Sequence, residues 1–393
     1  MIKIHCFLVL CTVLLFPAYA NAMNTTYTIV DTGQNECFDN SRPIACPAEG
    51  EPFYGQDAQY DGNTPRYRDN GDGTISDINT GLMWVAARGD KMSWRDAKNN
   101  AASVTVGGYT DWRMPTIKEL YSLIDFSGQL SRSATASKPF IDTRYFEFAY
   151  GETSKGERSI DCQDWSSTVY KGTTMNGSAT AFGVNFADGR IKGYPKEARH
   201  GRRDTRYVRY VRGNPNYGNN DFVDNGNGTV TDQATGLMWQ QNDSGTTYNW
   251  EDSLAYCENL TLGGRSDWRL PNAKELQSIV DYTRSPTTTG TAAIDPIFST
   301  TDIQSYYWTG TTHREGPPHR DAEHAVYVAF GQAMGYFSLP RSGREPTYMD
   351  VHGAGAQRSD PKAGDPADYP QGFGPQGDDR RIFNYARCVA NSI

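Results

Sequence analysis

The chain repeats itself once at long range, and that duplication constrains its architecture more than any other feature. Asp69-Asn70-Gly71-Asp72-Gly73-Thr74-Ile75-Ser76-Asp77, followed by Thr80-Gly81-Leu82-Met83-Trp84, returns 155 positions later as Asp224-Asn225-Gly226-Asn227-Gly228-Thr229-Val230-Thr231-Asp232 and Thr235-Gly236-Leu237-Met238-Trp239. Trp94 and Trp250 come next. Gly107-Gly108 with Asp111-Trp112-Arg113-Met114-Pro115 then matches Gly263-Gly264 with Asp267-Trp268-Arg269-Leu270-Pro271, and Lys118-Glu119-Leu120 matches Lys274-Glu275-Leu276, at an offset of 156. The copies close on Tyr207-Val208-Arg209-Tyr210-Val211 and Tyr385-Ala386-Arg387-Cys388-Val389. A period this long marks a duplicated domain rather than a solenoid unit, so each copy is expected to close a core of its own. The Asn-, Gly- and Pro-rich stretch 213–220 separates a first domain, 67–213, from a second, 222–393, with a lead-in at 23–66.

Local signals predict the same elements in both copies. The Asn-Gly-x-Gly runs between β-branched residues read as hairpin turns. Ser93 with Asp96 and Asn249 with Asp252 mark the start of a first helix, and Thr116 with Glu119 and Asn272 with Glu275 are capping boxes for a second. Ile117, Leu120 and Ile124, like Ala273, Leu276 and Val280, recur at i, i+3 and i+7 and turn one face inward. Aromatic strand candidates follow around Trp165, 184–186 and 207–211, and around Tyr307-Trp308, 326–330 and 384–389. The expected class is α+β: in each copy two helices packed on a twisted antiparallel sheet, with long loops.

The first 22 residues read as an export signal, with Lys3, an apolar run over 6–16, and small residues at Ala18, Ala20 and Ala22. No later segment approaches the length of a membrane-spanning apolar helix, so a secreted, periplasmic or cell-surface location is expected. A net charge of −8 gives no general pull toward nucleic acid. Outside the signal lie five cysteines, Cys37, Cys46, Cys162, Cys257 and Cys388. Cys257 aligns with Ala101 and Cys388 with Tyr210; joint absence from copy one is what a bonded pair predicts, so Cys257 is assigned to Cys388. Cys37 and Cys46 form the natural second pair, which leaves Cys162 unpaired.

Asp-Asn-Gly-Asp-Gly-Thr, Thr-Gly-Leu-Met-Trp, Gly-x-x-Asp-Trp-Arg-hydrophobic-Pro, Lys-Glu-Leu and the terminal Arg-Cys-Val, in that order and found twice, resemble the Lcl C-terminal domain family, named for the end domain of a bacterial collagen-like adhesin. The resemblance implies tandem C-type-lectin-like domains and a secreted or surface binding protein. The namesake binds sulfated polysaccharide, so an extracellular anionic glycan is the implied partner, with a surface protein as the alternative.

Several groups are candidates for the binding chemistry. Between Arg190 and Arg212 the chain carries nine basic residues against Glu197 and Asp204, and Arg199, Arg202, Arg203 and Arg206 are taken as anion ligands; the other reading is a solvated loop. Copy two is longer, with 119 positions from Trp268 to Arg387 against 97 from Trp112 to Arg209, and the extra length lies in 341–381, where Tyr348 and His352 are taken as ligand contacts on a long loop. The carboxylates of the hairpin turns offer oxygens to calcium or simply cap the turn; their spacing is not that of an EF-hand. Trp112-Arg113 and Trp268-Arg269 read as scaffold. His313, His319, His324 and His352 lack zinc-site spacing. No nucleophile elbow, Walker loop or dinucleotide fingerprint appears, so no catalytic residue, metal or cofactor is assigned. Formylglycine-generating enzymes use a similar fold with a reactive cysteine pair, which keeps an enzyme as the remote alternative.

Overall fold

Gly71 and Gly73 (φ 77° and 86°) and Gly226 and Gly228 (φ 70° and 83°) occupy the left-handed region that a tight turn between these strands requires. They fold Tyr67–Asp69 back on Thr74–Asp77, and Phe222–Asp224 back on Thr229–Asp232. The structure, a computed structural model, describes residues 25–197, 204–338 and 345–392; the export signal read at 1–22 lies outside them. The third strand of each repeat, Leu82–Val85 or Leu237–Gln240, pairs with the last, Val211–Gly213 or Val389–Asn391. Each repeat therefore closes its two ends in one four-stranded antiparallel sheet. The closing strands begin later than expected: 207–210 and 384–388 make only isolated bridges, Asp164 to Tyr207, Tyr248 to Asn384 and Tyr307 to Tyr385, before regular pairing starts at Val211 and Val389.

Four short helices follow the capping signals: α1 (Trp94–Asn100), α2 (Ile117–Ser122), α3 (Trp250–Glu258) and α4 (Ala273–Ser278). Ser93 and Asn249 accept the Asp96 and Asp252 amides, and both capping boxes of α2 and α4 are complete. Ile117, Leu120, Ala273 and Leu276 are fully buried, as their spacing requires.

A second, larger sheet has six strands in the order Tyr306–His313, His324–Ala329, Gln357–Pro361, Arg190–Pro195, Ser178–Asn185 and Asp164–Thr174, all antiparallel. The first three belong to copy two and the last three to copy one, so the sheet crosses the repeat boundary where Gln357 faces Ile191. The expectation of two self-contained cores is corrected accordingly. One hydrophobic core contains Trp84, Ile117 and Leu120 together with Trp239, Ala273 and Leu276. Each copy keeps only a smaller core of its own, around Trp112 and Trp165 or around Trp250, Trp268 and Trp308.

The two halves are also tied through their Lys-Glu-Leu lysines. Lys118 Nζ donates to Ser278 O (2.6 Å), Gly218 O (2.9 Å) and Asn220 Oδ1 (2.8 Å). Lys274 Nζ donates to Ser122 O (2.9 Å) and Asp31 O (2.7 Å). Ser122 and Ser278 are equivalent final residues of α2 and α4, so each lysine caps the carbonyl end of the other copy's helix. Burial pushes both ammonium groups down to about 8.

Lead-in residues seal an edge of the large sheet. Gln34 donates through Nε2 to Thr312 O and accepts the Thr312 amide on Oε1, both at 2.8 Å, which satisfies the outer rim of Tyr306–His313. Asp57 accepts hydroxyls from Thr32 (2.8 Å) and Thr311 (2.6 Å). Cys37 and Cys46 are bonded, as expected, beside this contact.

The 341–381 insertion, expected as a long loop, is built into the frame from residue 345 onward. Thr347–Asp350 pairs with Met334–Phe337, and Gln357–Pro361 enters the large sheet next to copy one. Gln357-Arg358-Ser359-Asp360 has no apolar alternation, which is why periodicity does not reveal this strand. Its polar side chains are buried against polar partners on neighbouring strands and loops: Arg358 bonds to Asp378, Ser359 to Arg190 and Glu315, and Asp360 to the Arg381 amide.

Lys274→Met is expected to lower the unfolding free energy by about 2–4 kcal/mol, because it strands two buried carbonyls. Tryptophan fluorescence and circular dichroism should report one common transition in urea. Melting of copy two while copy one stays folded would refute the shared core.

Asp57 gives a second test. Burial pushes its carboxyl up to about 7, against the Thr311 and Thr32 hydroxyls and with help from Asp31 and Glu275. An acid raised in this way contributes its full stability below its unfolded value near ~4 and loses that contribution as pH climbs to the folded value. The gain in urea midpoint of Asp57→Asn over the native protein should therefore grow between pH 4 and pH 7; a constant difference would mean that Asp57 is already ionised in the fold.

Candidate functional site

Most of the repeated motif residues are occupied with holding the fold. Asp69 Oδ1 accepts the Gly71 amide and Asp72 Oδ1 accepts the Thr74 amide and hydroxyl; Asp224 and Asn227 do the same for Gly226 and Thr229. These oxygens serve the turn. Among the described residues no group of three or more His, Cys, Asp or Glu could hold a metal ion. Arg113 forks onto Glu119 (2.7 and 2.5 Å) and Arg269 onto Glu275 (2.7 and 2.6 Å), locking each capping box to the strand before it. Trp112 and Trp268 are buried, each donating Nε1 to a backbone carbonyl, Val106 O or Leu262 O.

Arg209 and Arg387, also repeat equivalents, are fully buried struts. Arg209 donates to the carbonyls of Val85, Ala86 and Glu147, and Arg387 to those of Gln240, Gln241 and Ser299. Cys257 is bonded to Cys388, joining α3 to the start of the last strand. In copy one, Tyr210 stands at the Cys388 position and spans the same gap by a hydrogen bond to Ala97 O of α1 (2.8 Å), while accepting one from Asn100 Nδ2 (3.1 Å). Cys162 is buried and unpaired, and burial pushes its thiol up to about 12.

The described ends of the basic segment of copy one lie on or beside strands. Arg190 and Lys192 lie on the strand Arg190–Pro195, beside the seam with copy two. Arg199, Arg202 and Arg203 lie outside the described residues. Arg206 pairs with Asp204 and stacks over Tyr194 (4.1 Å) and Trp165 (4.9 Å). Tyr348 is 44% exposed, packs on Tyr336 and donates to Asp379 Oδ2 (2.8 Å). His352 is 3% exposed, bonded through Nε2 to Asp378 Oδ1 (2.8 Å). Burial, reinforced by the Arg358 charge, holds its pKa well below the ordinary imidazole range, so it is neutral at pH 7.

At this seam the sheet opens into a cleft of about 990 Å³. Copy one supplies Arg190, Lys192, Tyr194 and Arg206; the insertion of copy two supplies His352, Arg358, Phe373, Asp378 and Arg380. Tyr348 is not among the lining residues. Arg190 reaches Glu315 (2.5 Å) and Ser359 Oγ (2.7 Å), and Lys192 reaches Asp188 (2.7 Å). Burial lowers the Lys192 ammonium to about 7, against the attraction of Asp188. Arg358 bonds to Asp378 through Nη2, while its buried Nε and Nη1, like the buried Nε atoms of Arg190, Arg206 and Arg380, have no partner among the described residues. Cations and carboxylates alternate along the walls, so the surplus lies in hydrogen-bond donors rather than in net charge. Buried donors without partners favour a ligand rich in acceptor oxygens. Sequence reasoning missed Arg358, Asp378 and Arg380, which no motif marks; the only signal for Phe373 is an aromatic set within a Gly-Pro turn.

Fold and site together describe a tandem α+β module with a donor-rich cleft where its repeats meet. The chain belongs to the Lcl C-terminal domain family, whose model matches residues 73–212 and 228–346, more than half of the sequence. That membership points to a surface, adhesin-like module. No curated protein and no solved structure matches the chain. Among the described residues no helix is long and apolar enough to cross a membrane.

The equivalence of Tyr210 and Cys388 can be tested by transplanting one solution into the other copy. Cys257→Ala with Cys388→Ala should cost about 2–5 kcal/mol. Cys257→Ala with Cys388→Tyr should recover part of that loss in the same denaturation experiment. Equal stability of the two double variants would show that the tyrosine contact does not transfer.

Proposed function

We propose that the protein is a secreted or cell-surface recognition module of adhesin type, with C-type-lectin-like repeats and no catalytic role, that binds an anionic or sulfated polysaccharide in the cleft between its repeats. The arginines that both copies contribute to the lining of this cleft, each with a buried guanidinium nitrogen that has no partner among the described residues, carry the reading. A planar guanidinium fork matches carboxylate and sulfate oxygens, and its value rises in a partly dry cleft. Support for export comes from the N-terminal signal and from two disulfides, which persist in oxidising compartments. The joined Cys257 and Cys388 leave no reactive cysteine pair for formylglycine-type chemistry. Joining the ends of each repeat in one sheet, with two helices packed on the large sheet, favours the lectin-like fold. Exposed Tyr348 and Phe383, away from the cleft lining, support a protein partner as the second reading.

The intact protein should be retained on heparin–agarose at low salt and elute as salt rises, because exposed charge pairs are screened over about 10 Å at 0.1 M. Arg206→Ser should elute earlier. Flow-through at low salt would overturn the glycan reading, and capture of one surface protein that resists salt would favour the alternative. Retention lost only when Arg199, Arg202 and Arg203 are changed together to Ser would assign the contact to those arginines rather than to Arg206.

A further inference from the structure

We infer that copy one binds an extended, acidic segment of a separate protein, with an aromatic side chain, on the face formed by Trp94, Ser167, Thr168, Val169 and Lys196. The segment lies there as the lead-in lies on the equivalent face of copy two. None of these residues lines the cleft between the repeats, so this is a second surface, independent of the glycan reading.

Residues 34–60 of the lead-in supply the template. The Phe53 ring lies 6.3 Å from that of Trp250, and the Asp39 carbonyl accepts from Lys362 Nζ (2.9 Å), which itself sits 3.9 Å over the Trp250 ring. Asp57 takes the Thr311 hydroxyl (2.6 Å), Gln34 pairs with the rim at Thr312, and Glu36 takes Arg314 (3.1 Å). Under this cover Trp250, Lys362 and the whole strand Tyr306–His313 are buried.

Copy one repeats the groups beneath the cover without the cover itself. Trp94 matches Trp250, and each donates Nε1 to the strand below it, to Ser166 O (2.9 Å) or Thr309 O (2.8 Å). Pro195-Lys196 holds the sheet position of Pro361-Lys362: the Lys196 amide bonds to Ala179 O as the Lys362 amide bonds to Glu323 O, and Lys196 Nζ sits 4.7 Å over Trp94. Thr168 accepts the Ile117 amide (3.0 Å) as Thr311 accepts that of Ala273 (2.9 Å). Counted from the matched Trp165 and Trp308, Val169 stands for Thr312 and Lys171 for Arg314. Yet Trp94, Lys196, Ser167, Thr168 and Val169 are partly exposed, and Lys171 is exposed. Arg113 keeps 37% of its side chain exposed, whereas Arg269, under the ring of lead-in Tyr60, keeps 11%. No described residue takes the place of Gln34 at Val169 or accepts the Thr168 hydroxyl, and neither Lys171 nor Lys196 has a carboxylate partner among the described residues.

The exposed groups select the occupant. An open strand rim beside a tryptophan ring suits an extended chain that brings an aromatic side chain. Lys171 and Lys196 select a negatively charged one. The template has this character, with Glu36, Asp39, Glu49, Glu51 and Asp57 against Arg42. A second copy of the chain has no lead-in to spare, because its own is spent on its copy two and closed by the Cys37–Cys46 bond. The occupant is therefore another protein.

The test uses the intact protein, whose copy two is already covered, and as probe a fluorescent synthetic peptide of residues 34–60 with its disulfide closed. Anisotropy should show saturable binding of one peptide per chain. Lys196→Glu and Lys171→Glu in the protein, and Phe53→Ala in the peptide, should each weaken it about tenfold. Lys155→Glu, an exposed charge elsewhere in copy one, should leave it unchanged. A peptide with Phe53→benzoylphenylalanine should cross-link to α1. If Lys196→Glu misfolds, the exposed Lys171 variant and the peptide variants decide the matter. Absence of saturable binding overturns the docking face, and an equal loss in Lys155→Glu reduces it to unspecific attraction. Cross-links on α3 mean that the peptide merely displaces the resident lead-in, which also overturns it. A dimer of the native protein in sedimentation, abolished by Lys196→Glu, would replace the separate partner with a second copy.

Discussion

Lys118 and Lys274 each end on the closing carbonyl of the other copy's second helix, and most of the architecture depends on that exchange. A buried ammonium is tolerable only when acceptors surround it, so each lysine ties the opposite helix to its own. Around this pair the apolar faces of α2 and α4 meet the two tryptophans of the repeated Gly-Leu-Met-Trp strands in one core. The large sheet then has to run through the boundary. A duplicated domain has become a single folding unit with internal twofold character.

Against that near-symmetry, the copies have diverged where symmetry is not required. Copy two bonds its first helix to its last strand by a disulfide; copy one makes the same connection with a tyrosine hydroxyl. More consequential is the insertion of copy two, whose strand Gln357–Pro361 occupies the sheet position next to copy one and carries Arg358 to the seam. In copy one the strand at the seam is Arg190–Pro195. The cleft is thus the product of a broken symmetry: a basic strand of one repeat faces a polar strand and a glycine-rich turn that the other repeat acquired.

The frame was legible because its signals are local. Capping boxes at Thr116 and Asn272, the glycine turns, and the i, i+3, i+7 apolar positions act within a few residues and are satisfied as their chemistry demands. Arg113, Arg269 and the tryptophans before them were likewise readable as scaffold, since a capping glutamate six residues on supplies the partner. The candidate site was only partly legible. Arg206 and the lower part of the basic segment were found by composition, but Arg358, Asp378 and Arg380 become a group only when residues far apart in the chain are brought together. Tyr348 and His352 stand in a stretch that reads as a loop; one packs outside the cleft and the other is buried as a neutral partner of Asp378.

By itself, the sequence determined the duplication, the capped helices, the hairpin turns and both cysteine pairings, since each is encoded in short-range pattern or in a comparison between the copies. Whether the copies would stand apart or merge was decided only in three dimensions. Nothing local tells a lysine that its acceptors lie on an equivalent helix about 155 residues away, or a polar tetrapeptide that it will be a buried strand. Those outcomes follow from the requirement that every buried donor find an acceptor, and that requirement is met by the whole fold or not at all.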